Sequence, residues 1–321
     1  MGKTSGKSCN KKEKDLTMKI LVIGGAGYIG SHVTYELCDQ GYDVIVVDNL
    51  STGFVDNIDK RAKFINDSFS NLQKSNLLSN IDCVIHLAAL KAAGESMKNP
   101  VKYAQSNLIE SIQLINACIE NNVKSFIFSS SAAVYGFPKY LPIDEKHDLN
   151  PINYYGFTKM IIEQQLSWFN NLKDINVAFL RYFNAAGYDI IGRVTKKEKE
   201  PQNLLPIVME TACGDRKKMS VFGNDYDTPD GTCLRDYIHV NDLAVGHAKA
   251  IEMLQNKNKI ITNLATGNSH SVLDVIKMSK KITGIDIKYD IVARRLGDPD
   301  ELYAQSNNIL NYANQYSDLE T

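Results

Sequence analysis

The chain has 321 residues, a formal net charge of −1 and an apolar fraction of 44%, enough for one large domain or two smaller ones. The balanced charge gives no sign of a nucleic-acid partner, and no apolar run is long enough to cross a bilayer. The six cysteines are scattered without metal-ligand spacing. This favours reduced thiols in a cytoplasmic protein, without disulfides and without a structural zinc.

The N-terminal stretch from Met1 to Thr17 is polar and rich in lysine, and it lacks the apolar core of a secretory signal. We expect residues 1–17 to be a disordered basic leader. From Met18 onward, short apolar runs alternate with helical patterns, which is typical of an α/β protein with a doubly wound parallel sheet. The predicted strands are Lys19–Ile23, Asp43–Val47, Ala62–Asn66, Asp82–Leu87, Lys124–Ser129 and Ile175–Leu180, and predicted helices include Ser31–Gln40 and Val101–Glu120.

A change of character near Asn184 predicts a second, smaller unit. We therefore divide the ordered chain into a Rossmann domain, 18–183, and a smaller α/β substrate-binding domain, 184–321. Part of the second unit is expected to pack back on the first sheet. Its predicted helices are Leu204–Cys213, Asn241–Leu254 and Val272–Ile282, and its predicted strands are Met219–Phe222, Arg235–His239 and Ile260–Leu264.

Three glycines, Gly24, Gly27 and Gly30, lie between the first strand and the first helix. Glycines there let the backbone turn tightly and approach a pyrophosphate, while the helix N-terminus offers free N–H groups. Asp48, at the end of the second strand, can accept hydrogen bonds from both hydroxyls of an adenosine ribose and would repel a 2′-phosphate. The pattern therefore predicts an NAD site; the alternative is a glycine-rich turn in a nucleotide-free domain.

Further candidates follow the other strands. Asp67 is placed to reach the adenine amine, or else is a solvated loop acid. The small residues of Leu87-Ala88-Ala89 let the backbone pass close to a cofactor. We interpret Lys91 as a cation near the pyrophosphate, with a surface lysine as the alternative, and His86 as a structural residue.

Tyr155 and Lys159 are four residues apart on a predicted helix, so their side chains share one face. A neighbouring cation stabilises a phenolate and can make tyrosine a base near neutral pH. Lowering the pKa from about 10 to about 7 needs roughly 4 kcal/mol, of which an ammonium at about 5 Å gives roughly 3 kcal/mol. The positive ring of NAD⁺ could supply the remainder. Such pairs also occur by chance, so this one depends on its context.

These motifs, together with the serine run Ser129-Ser130-Ser131, resemble the extended short-chain dehydrogenase/reductase family. The resemblance narrows to the UDP-glucose 4-epimerases and runs from Met18 to about Ala304. The stretches that carry it are His86–Ser96, Phe128–Gly136, Arg181–Asn184, Asn203–Pro206, Val221–Tyr226 and Asp230–Val240.

The resemblance implies interconversion of UDP-glucose and UDP-galactose through a 4-keto sugar, with an NAD that is not released between turnovers. Ser131 and Tyr155 would contact O4 of the sugar, with Tyr155 as acid and base, and Lys159 would contact the nicotinamide ribose. The implied cofactor contacts are Gly24, Gly27, Tyr28, Ile29, Gly30, Asp48, Asn49, Asp67, Ser68, Leu87, Ala88, Lys91, Asn107, Ser129, Tyr155, Lys159, Tyr182 and Phe183. The implied substrate contacts are Ser131, Tyr155, Asn184, Asn203, Leu204, Ser220, Phe222, Arg235, Tyr237, Arg295, Asp298 and Leu302.

The chain departs from the family pattern in four places. Ser106 stands before Asn107 where members often carry Asn or Val, so only Asn107 is carried over from this segment. Ala133 stands where many members carry Thr or Ser, which removes one hydroxyl contact. Leu302 occupies the position that gates the C2 substituent of the sugar. Because leucine is intermediate in size, the substrate can be a plain or an N-acetylated UDP-sugar. The polar run Asn307–Ser317 does not match the C-terminal helix that the family usually carries.

Two rival functions remain. A sugar-nucleotide 4,6-dehydratase, or a UDP-glucuronate epimerase or decarboxylase, would share the fold, but elimination needs an acid and a base where this chain has Ala132-Ala133. A non-catalytic NAD-sensing protein would have no need of Ser131, Tyr155 and Lys159 together. The predicted helices near Val101–Glu120 and Tyr154–Asn170 carry apolar residues beyond one face, so a homodimer through a helix bundle is expected.

Overall fold

The computed structural model describes residues 17–199, 201–295 and 297–305. The predicted leader, except Thr17, and the run Asn307–Ser317 lie outside the described residues. The strands are β1 (Lys19–Ile23), β2 (Asp43–Asp48), β3 (Lys63–Asn66), β4 (Cys83–His86), β5 (Ser125–Ser131), β6 (Asn176–Tyr182), β7 (Asn184–Ala186), β8 (Met219–Phe222), β9 (Leu234–His239), β10 (Lys259–Leu264), β11 (Ser269–Ser271), β12 (Tyr289–Val292) and β13 (Glu301–Leu302).

The helices pack on both faces of these strands. The α-helices are α1 (Tyr28–Asp39), α2 (Ala93–Lys98), α3 (Pro100–Tyr103), α4 (Glu110–Glu120), α5 (Tyr154–Leu172), α6 (Leu204–Cys213), α7 (Val240–Leu254) and α8 (Val272–Thr283). A π-helical segment, Ala104–Ile109, joins α3 to α4, so the helix predicted over Val101–Glu120 forms as three consecutive pieces.

Seven strands form one parallel sheet in the order β10-β6-β5-β4-β1-β2-β3. Its strands are apolar on both faces because helices cover both. In β1, Ile20 and Val22 face the cluster that includes α1 and α7, while Leu21 and Ile23 face the one that includes α4 and α5. The predicted doubly wound α/β fold is confirmed.

The strand Lys259–Leu264 and the helix Val240–Leu254 come from the part of the chain after 183, yet they belong to the first sheet. β10 pairs with β6 at the sheet edge, and α7 packs beside α1. Helix α7 and strand β10 are therefore the part of the second unit that packs back on the first sheet.

A smaller group of strands stands at the carboxyl edge of the main sheet. β9 is central, with β11 antiparallel to it and β7 and β13 paired to it in parallel, while β8 and β12 form a separate pair. Helices α6 and α8 pack on the pair through an apolar cluster that includes Val208, Val221 and Ile276.

Among the helices of the described residues, we find none that combines the length and the apolar character needed to cross a membrane.

Candidate active site

The turn between β1 and α1 begins the site. Gly24 has a φ of +85°, and a Cβ there would lie 2.7 Å from the backbone nitrogen of Ala88. A Cβ on Gly30 would lie 2.0 Å from the carbonyl oxygen of Gly24. Glycine is therefore required so that the turn can close on itself and pack against the segment after β4.

The N-terminus of α1 starts at Gly27, and among the described residues no side chain caps it. Its first N–H groups and its positive dipole end are thus available to an anion. The turn opens at the carboxyl edge beside β4, where the helices on either side of the sheet diverge, the usual place for a ligand in this kind of sheet. These features fit a dinucleotide pyrophosphate.

Asp48 ends β2 beside this turn. One carboxylate oxygen accepts from the N–H of Ala26 at 2.9 Å and the other from the N–H of Leu50 at 2.8 Å. Each oxygen keeps a second lone pair for a ribose hydroxyl. The two hydrogen bonds from the backbone fix the orientation of the carboxylate, as its predicted role in selecting NAD over NADP requires.

The remaining predicted cofactor residues lie at the same edge. Leu87 and Ala88 donate their N–H groups to the Ile23 carbonyl at 2.9 and 3.1 Å. Asp67, after β3, accepts from Ser68 N and Asn71 Nδ2, both at 2.7 Å. Asn49 follows Asp48, and Ile29 lies in the first turn of α1.

Asn107 and Lys91 also have partners within the protein. Asn107 exchanges hydrogen bonds with the backbone of Leu90, at 3.0 and 2.9 Å, and so fixes the segment that carries Lys91. Lys91 forms an ion pair with Glu198. His86 is buried and lies 2.9 Å from Ser111 Oγ; the expected structural role of this histidine is confirmed.

Tyr155 lies in the first turn of α5, which Asn153 caps by accepting from the Gly156 N–H at 2.9 Å. Ser131 ends β5 and hydrogen-bonds the Tyr155 phenol. The Ser131 oxygen also accepts from Ala133 N at 3.2 Å, which leaves its own proton free to be donated. The strand end and the helix start thus bring the predicted serine and tyrosine together.

Lys159 is buried one turn further along α5. Its ammonium donates to the Ser129 carbonyl at 2.7 Å. The ammonium nitrogen lies 4.8 Å from the centre of the Phe128 ring and 5.8 Å from that of Tyr155. The shared helix face that the sequence predicts is therefore present.

The titration of the pair differs from the sequence-based prediction. Burial raises the pKa of Tyr155 above its usual value, and the hydrogen bond with Ser131 opposes this in part. Burial also lowers the pKa of Lys159 to about 7, against a raising effect of Glu163. Within the protein alone, the pKa of Tyr155 is therefore raised and not lowered, because burial disfavours the charged phenolate. Helical spacing predicted that Lys159 would be near Tyr155, but it carried no information on burial.

Tyr182 is the last residue of β6, the strand next to β5, and Phe183 follows it. The Tyr182 phenol hydrogen-bonds both Ser129 and the buried His247. The Phe183 N–H donates to the Leu264 carbonyl at 3.1 Å. Tyr182 is thereby held at the end of β6 opposite Ser131, and Phe183 packs in the cluster that includes Ala132 and Leu302.

The predicted substrate residues cluster around β9. Pairing places Asn184 opposite Tyr237 and Leu302 opposite Arg235. Asn184 donates its amide to the Asp236 carbonyl at 3.0 Å. Three strands that are far apart in the chain, β7, β9 and β13, thus lie side by side.

Arg235 has a buried guanidinium whose donors suit an anionic ligand. Its Nη1 donates to the Leu234 carbonyl at 2.8 Å, while its buried Nη2 has no hydrogen-bond partner among the described residues. The same Nη2 lies 3.6 Å from Asp298 Oδ1, in a long ion pair. A buried guanidinium with an unused donor fits a diphosphate, which accepts from such forks.

The other predicted substrate residues lie on the neighbouring strand pair and helix. The Arg295 guanidinium lies over the Phe222 ring, 3.9 Å from the ring centre. Ser220 is an exposed residue of β8, Asn203 stands at the N-cap of α6, and Leu204 is the first residue of that helix. All of them stand on the units that flank β9.

Two supporting residues escaped the sequence analysis. The hydroxyl of Ser96 accepts from Tyr155 N at 3.0 Å and donates to the Ala93 carbonyl at 2.6 Å. Glu163, one turn beyond Lys159, pairs with Arg181 at 2.6 Å inside the protein. The spacing Tyr155-Lys159-Glu163 places all three on one helix face, and this signal was present in the sequence; the contact from Ser96 is long-range and left no local signal.

Among the described residues, no group of three or more His, Cys, Asp or Glu side chains is placed to hold a metal ion.

Comparison with known families gives a match over most of the chain. Residues 20–265 match the model of the NAD dependent epimerase/dehydratase family. A UDP-glucose 4-epimerase from Lactobacillus helveticus is 45% identical over 294 residues, which are 90% of this chain and 89% of the relative.

Solved structures give the same result. A UDP-glucose 4-epimerase from Bifidobacterium longum, in complex with NAD⁺ and UDP, superimposes with a TM-score of 0.89 at 38% identity, covering 94% of this chain and 95% of that one. The enzyme of the same name from Brucella ovis, in complex with NAD, gives a TM-score of 0.88 at 38% identity, with 95% of each chain covered.

Proposed function

The chain belongs to the NAD-dependent epimerase/dehydratase family, and we propose that it interconverts UDP-glucose and UDP-galactose by inverting C4 of the sugar. One observation carries the proposal. Ser131 and Tyr155 stand at the sheet edge between the glycine turn, which fits a dinucleotide, and Arg235, whose buried Nη2 makes no hydrogen bond within the described part of the chain. Cofactor and UDP-sugar therefore converge on the tyrosine.

The proton moves through this chain's own side chains. Tyr155 accepts the proton of the sugar O4 hydroxyl and later returns it, which makes it both base and acid. Ser131 bridges the phenol and the sugar oxygen, since its hydroxyl proton is donated to the phenol and its remaining lone pair can accept from the sugar hydroxyl. NAD, when bound, supplies the acceptor and the source of the hydride at C4, so that the sugar passes through a 4-keto form.

Lys159 supports Tyr155 by position and by charge. Its hydrogen bond to the Ser129 carbonyl fixes the ammonium between β5 and α5, where it also faces the proposed nicotinamide ribose. Because its pKa is about 7, part of the Lys159 population carries charge at neutral pH. That charge favours the phenolate during the step in which Tyr155 has lost its proton.

The cofactor contacts, in this proposal, are the edge residues around Gly24, Asp48 and Lys91. Asp48 binds the adenosine ribose and excludes a 2′-phosphate, and the N-terminus of α1 binds the pyrophosphate. The remaining cofactor residues are Gly27, Tyr28, Ile29, Gly30, Asn49, Asp67, Ser68, Leu87, Ala88, Asn107, Ser129, Lys159, Tyr182 and Phe183.

The UDP-sugar contacts are proposed to be Arg235, Arg295 and the residues that β9 and its neighbours gather. The arginines favour a doubly charged diphosphate, and Phe222 gives the base an aromatic wall. The other members are Asn184, Asn203, Leu204, Ser220, Tyr237, Asp298 and Leu302. In this division, residues 18–183 form the cofactor unit and residues after 183 the sugar-nucleotide unit, with α7 and β10 returning to the first.

We also propose that the protein is a homodimer. Helix α5 exposes Trp168 and Leu172, whose side chains are 64% and 66% accessible, and the adjoining helical segment exposes Val101 and Ile109, at 81% and 46%. A surface with several large apolar side chains on two neighbouring helices suits a self-complementary interface. Light scattering should give twice the chain mass, and Trp168→Glu should shift it towards one chain.

A cytoplasmic location is proposed from the thiols. Cys38, Cys83 and Cys118 are free and buried in the apolar clusters, where they pack as small side chains. Thiols that serve as packing residues suit a reducing compartment. Fractionation followed by immunoblotting would test this location.

The activity is tested by incubating the purified protein with UDP-galactose and, separately, with UDP-GalNAc, without added NAD. Formation of the C4 epimers supports the proposal, and NAD should be recovered from the denatured protein. Binding of NAD without any conversion would favour a sensing protein instead, and loss of water from the sugar would favour a dehydratase.

A further inference from the structure

The segment Gly187–Lys199, here called the strap, connects β7 to the region before α6. It contains no strand or helix. The proposed catalytic and binding residues include none from this segment. Its side chains nevertheless contact all three sides of the cofactor crevice: helix α1, the loop after β2, and the loop after β4.

The strap begins on the glycine turn itself. The Tyr28 hydroxyl, in the first turn of α1, donates to the Gly187 carbonyl at 2.5 Å. The Tyr28 and Tyr188 rings then meet edge to face at 5.8 Å. The first residues of the strap are thereby held next to the helix end that is proposed to bind the pyrophosphate.

Arg193 fastens the middle of the strap to the side of α1. Its Nη1 donates to Asp39 at 2.6 Å and its Nη2 to Asp189 at 2.8 Å. The guanidinium also lies over the Tyr35 ring at 4.7 Å. Arg193 therefore links the strap to two residues of α1, and it also pairs with Asp189 within the strap.

Asn57 fastens the far end, beyond Asp48. Its amide nitrogen donates to the Lys196 carbonyl at 2.8 Å, and its oxygen accepts from the Lys196 N–H at 2.9 Å. Asn57 is only 3% exposed, so this pair of bonds is shielded from water. Lys199 then covers the Phe54 ring at 4.8 Å.

The last side of the crevice is reached by Glu198. It forms an ion pair with Lys91, after β4, through one carboxylate oxygen. Its second oxygen is buried and has no hydrogen-bond partner among the described residues. An acid held in this way ties the strap to the loop that Asn107 fixes.

We propose that the strap is a retaining element that keeps NAD in the crevice through successive turnovers; this rests on the function proposed above. A dinucleotide laid along the carboxyl ends of β1, β2 and β4 lies beneath a segment anchored at Tyr28, Asn57 and Lys91. Its release requires local opening of the strap, and the frequency of that opening falls with each anchoring contact.

The test is the exchange of bound NAD against an excess of isotopically labelled NAD, followed by mass spectrometry of the nucleotide from the denatured protein. Asn57→Ala removes both bonds to Lys196, and Arg193→Gln removes the tie to Asp39. Each is expected to speed exchange by about tenfold, the effect of losing one to two hydrogen bonds. The double variant should exceed both.

Arg216→Gln is the matched control. Arg216 makes a comparable two-point contact with Glu210, at 3.0 and 2.8 Å, outside the strap, so its loss should leave exchange unchanged. Because Asn57 is buried and its variant could unfold, Lys199→Ser tests the same idea at an exposed residue. It should still exchange NAD measurably faster than the wild type.

The outcomes separate the two proposals. A wild-type protein that holds NAD and epimerises UDP-galactose, together with strap variants that exchange NAD no faster than Arg216→Gln, overturns the strap and leaves the function standing. A wild-type protein without NAD and without activity overturns both. Faster exchange in the folded strap variants alone supports the retaining role.

Discussion

The ammonium nitrogen of Lys159 lies 5.8 Å from the centre of the Tyr155 ring and donates its hydrogen bond to the Ser129 carbonyl at 2.7 Å. Lysine and tyrosine are therefore coupled through space. The phenol receives its hydrogen bond from Ser131 instead. The proton of the sugar hydroxyl can thus pass through Ser131 to Tyr155. Lys159 contributes positive charge next to this path.

Replacing Tyr155 by Phe should lower kcat by about two to four orders of magnitude, the usual contribution of a general acid–base residue. NAD content and UDP affinity should stay close to normal, since the ring remains. The measurement is a coupled assay of UDP-glucose formation from UDP-galactose. Tyr154→Phe is the matched control, because that neighbouring ring stacks on Phe157. A Tyr155→Phe rate near that of this control would refute the assignment.

Arg235→Lys should raise KM for UDP-galactose more than it lowers kcat. Lysine keeps the charge but loses the fork whose buried Nη2 has no hydrogen bond to any described residue, and a hydrogen bond to a charged group contributes about 1.5–3 kcal/mol. An increase in KM of roughly tenfold to a hundredfold is expected. Arg216→Lys, at an ion pair outside the site, should change neither constant. Unchanged KM in Arg235→Lys would remove the arginine from the diphosphate site.

Leu302→Tyr should reduce the rate with UDP-GalNAc relative to that with UDP-galactose. Leu302 pairs with Arg235 across two strands and packs against the cluster that contains Phe183, so a larger side chain there would enter the sugar pocket. Overpacking of this kind costs about 1–3 kcal/mol, which corresponds to a ratio that falls at least about fivefold. Rates with the two sugars that fall in parallel would count against a gating role.

Stability should fall in mild acid, partly through His247. Burial lowers the pKa of this histidine to about 4, below its usual value of about 6.5. Between these values the unfolded chain binds the additional proton, so the stabilising contribution is present above pH 6.5 and is lost as pH falls towards 4. From pH 7 to pH 5 this single group should lower the free energy of unfolding by about 2 kcal/mol.

Urea denaturation at several pH values measures that loss. His247→Gln keeps a polar side chain beside Tyr182 and removes the titration, so its curve should be flatter than that of the wild type below pH 6.5. His86 and His239, whose pKa values burial also lowers, to about 3 and about 4, keep the remaining acid sensitivity. Parallel curves for the two proteins would show that His247 does not titrate on unfolding.

Much of the fold could be predicted because its signals are local. The buried strands were visible as apolar runs, and their observed bounds differ from the predicted ones by one or two residues at most ends. The first helix was an exception. It begins at Tyr28 rather than Ser31, because Gly27 and the following residues already turn at the glycine motif. The π-helical segment Ala104–Ile109 has no comparable pattern in the sequence.

The sequence by itself determined the chemistry of this protein: an aspartate after the second strand, glycines that open a helix, and a tyrosine four residues before a lysine. Those signals depend on residue type and short spacing, which are written directly in the chain. Only the tertiary structure decided that Tyr155 and Lys159 are desolvated, that the buried Nη2 of Arg235 makes no hydrogen bond to the residues that the structure describes, and that Gly187–Lys199 packs against Asn57. Burial and contacts between distant residues arise only when the chain packs, so local spacing cannot reveal them.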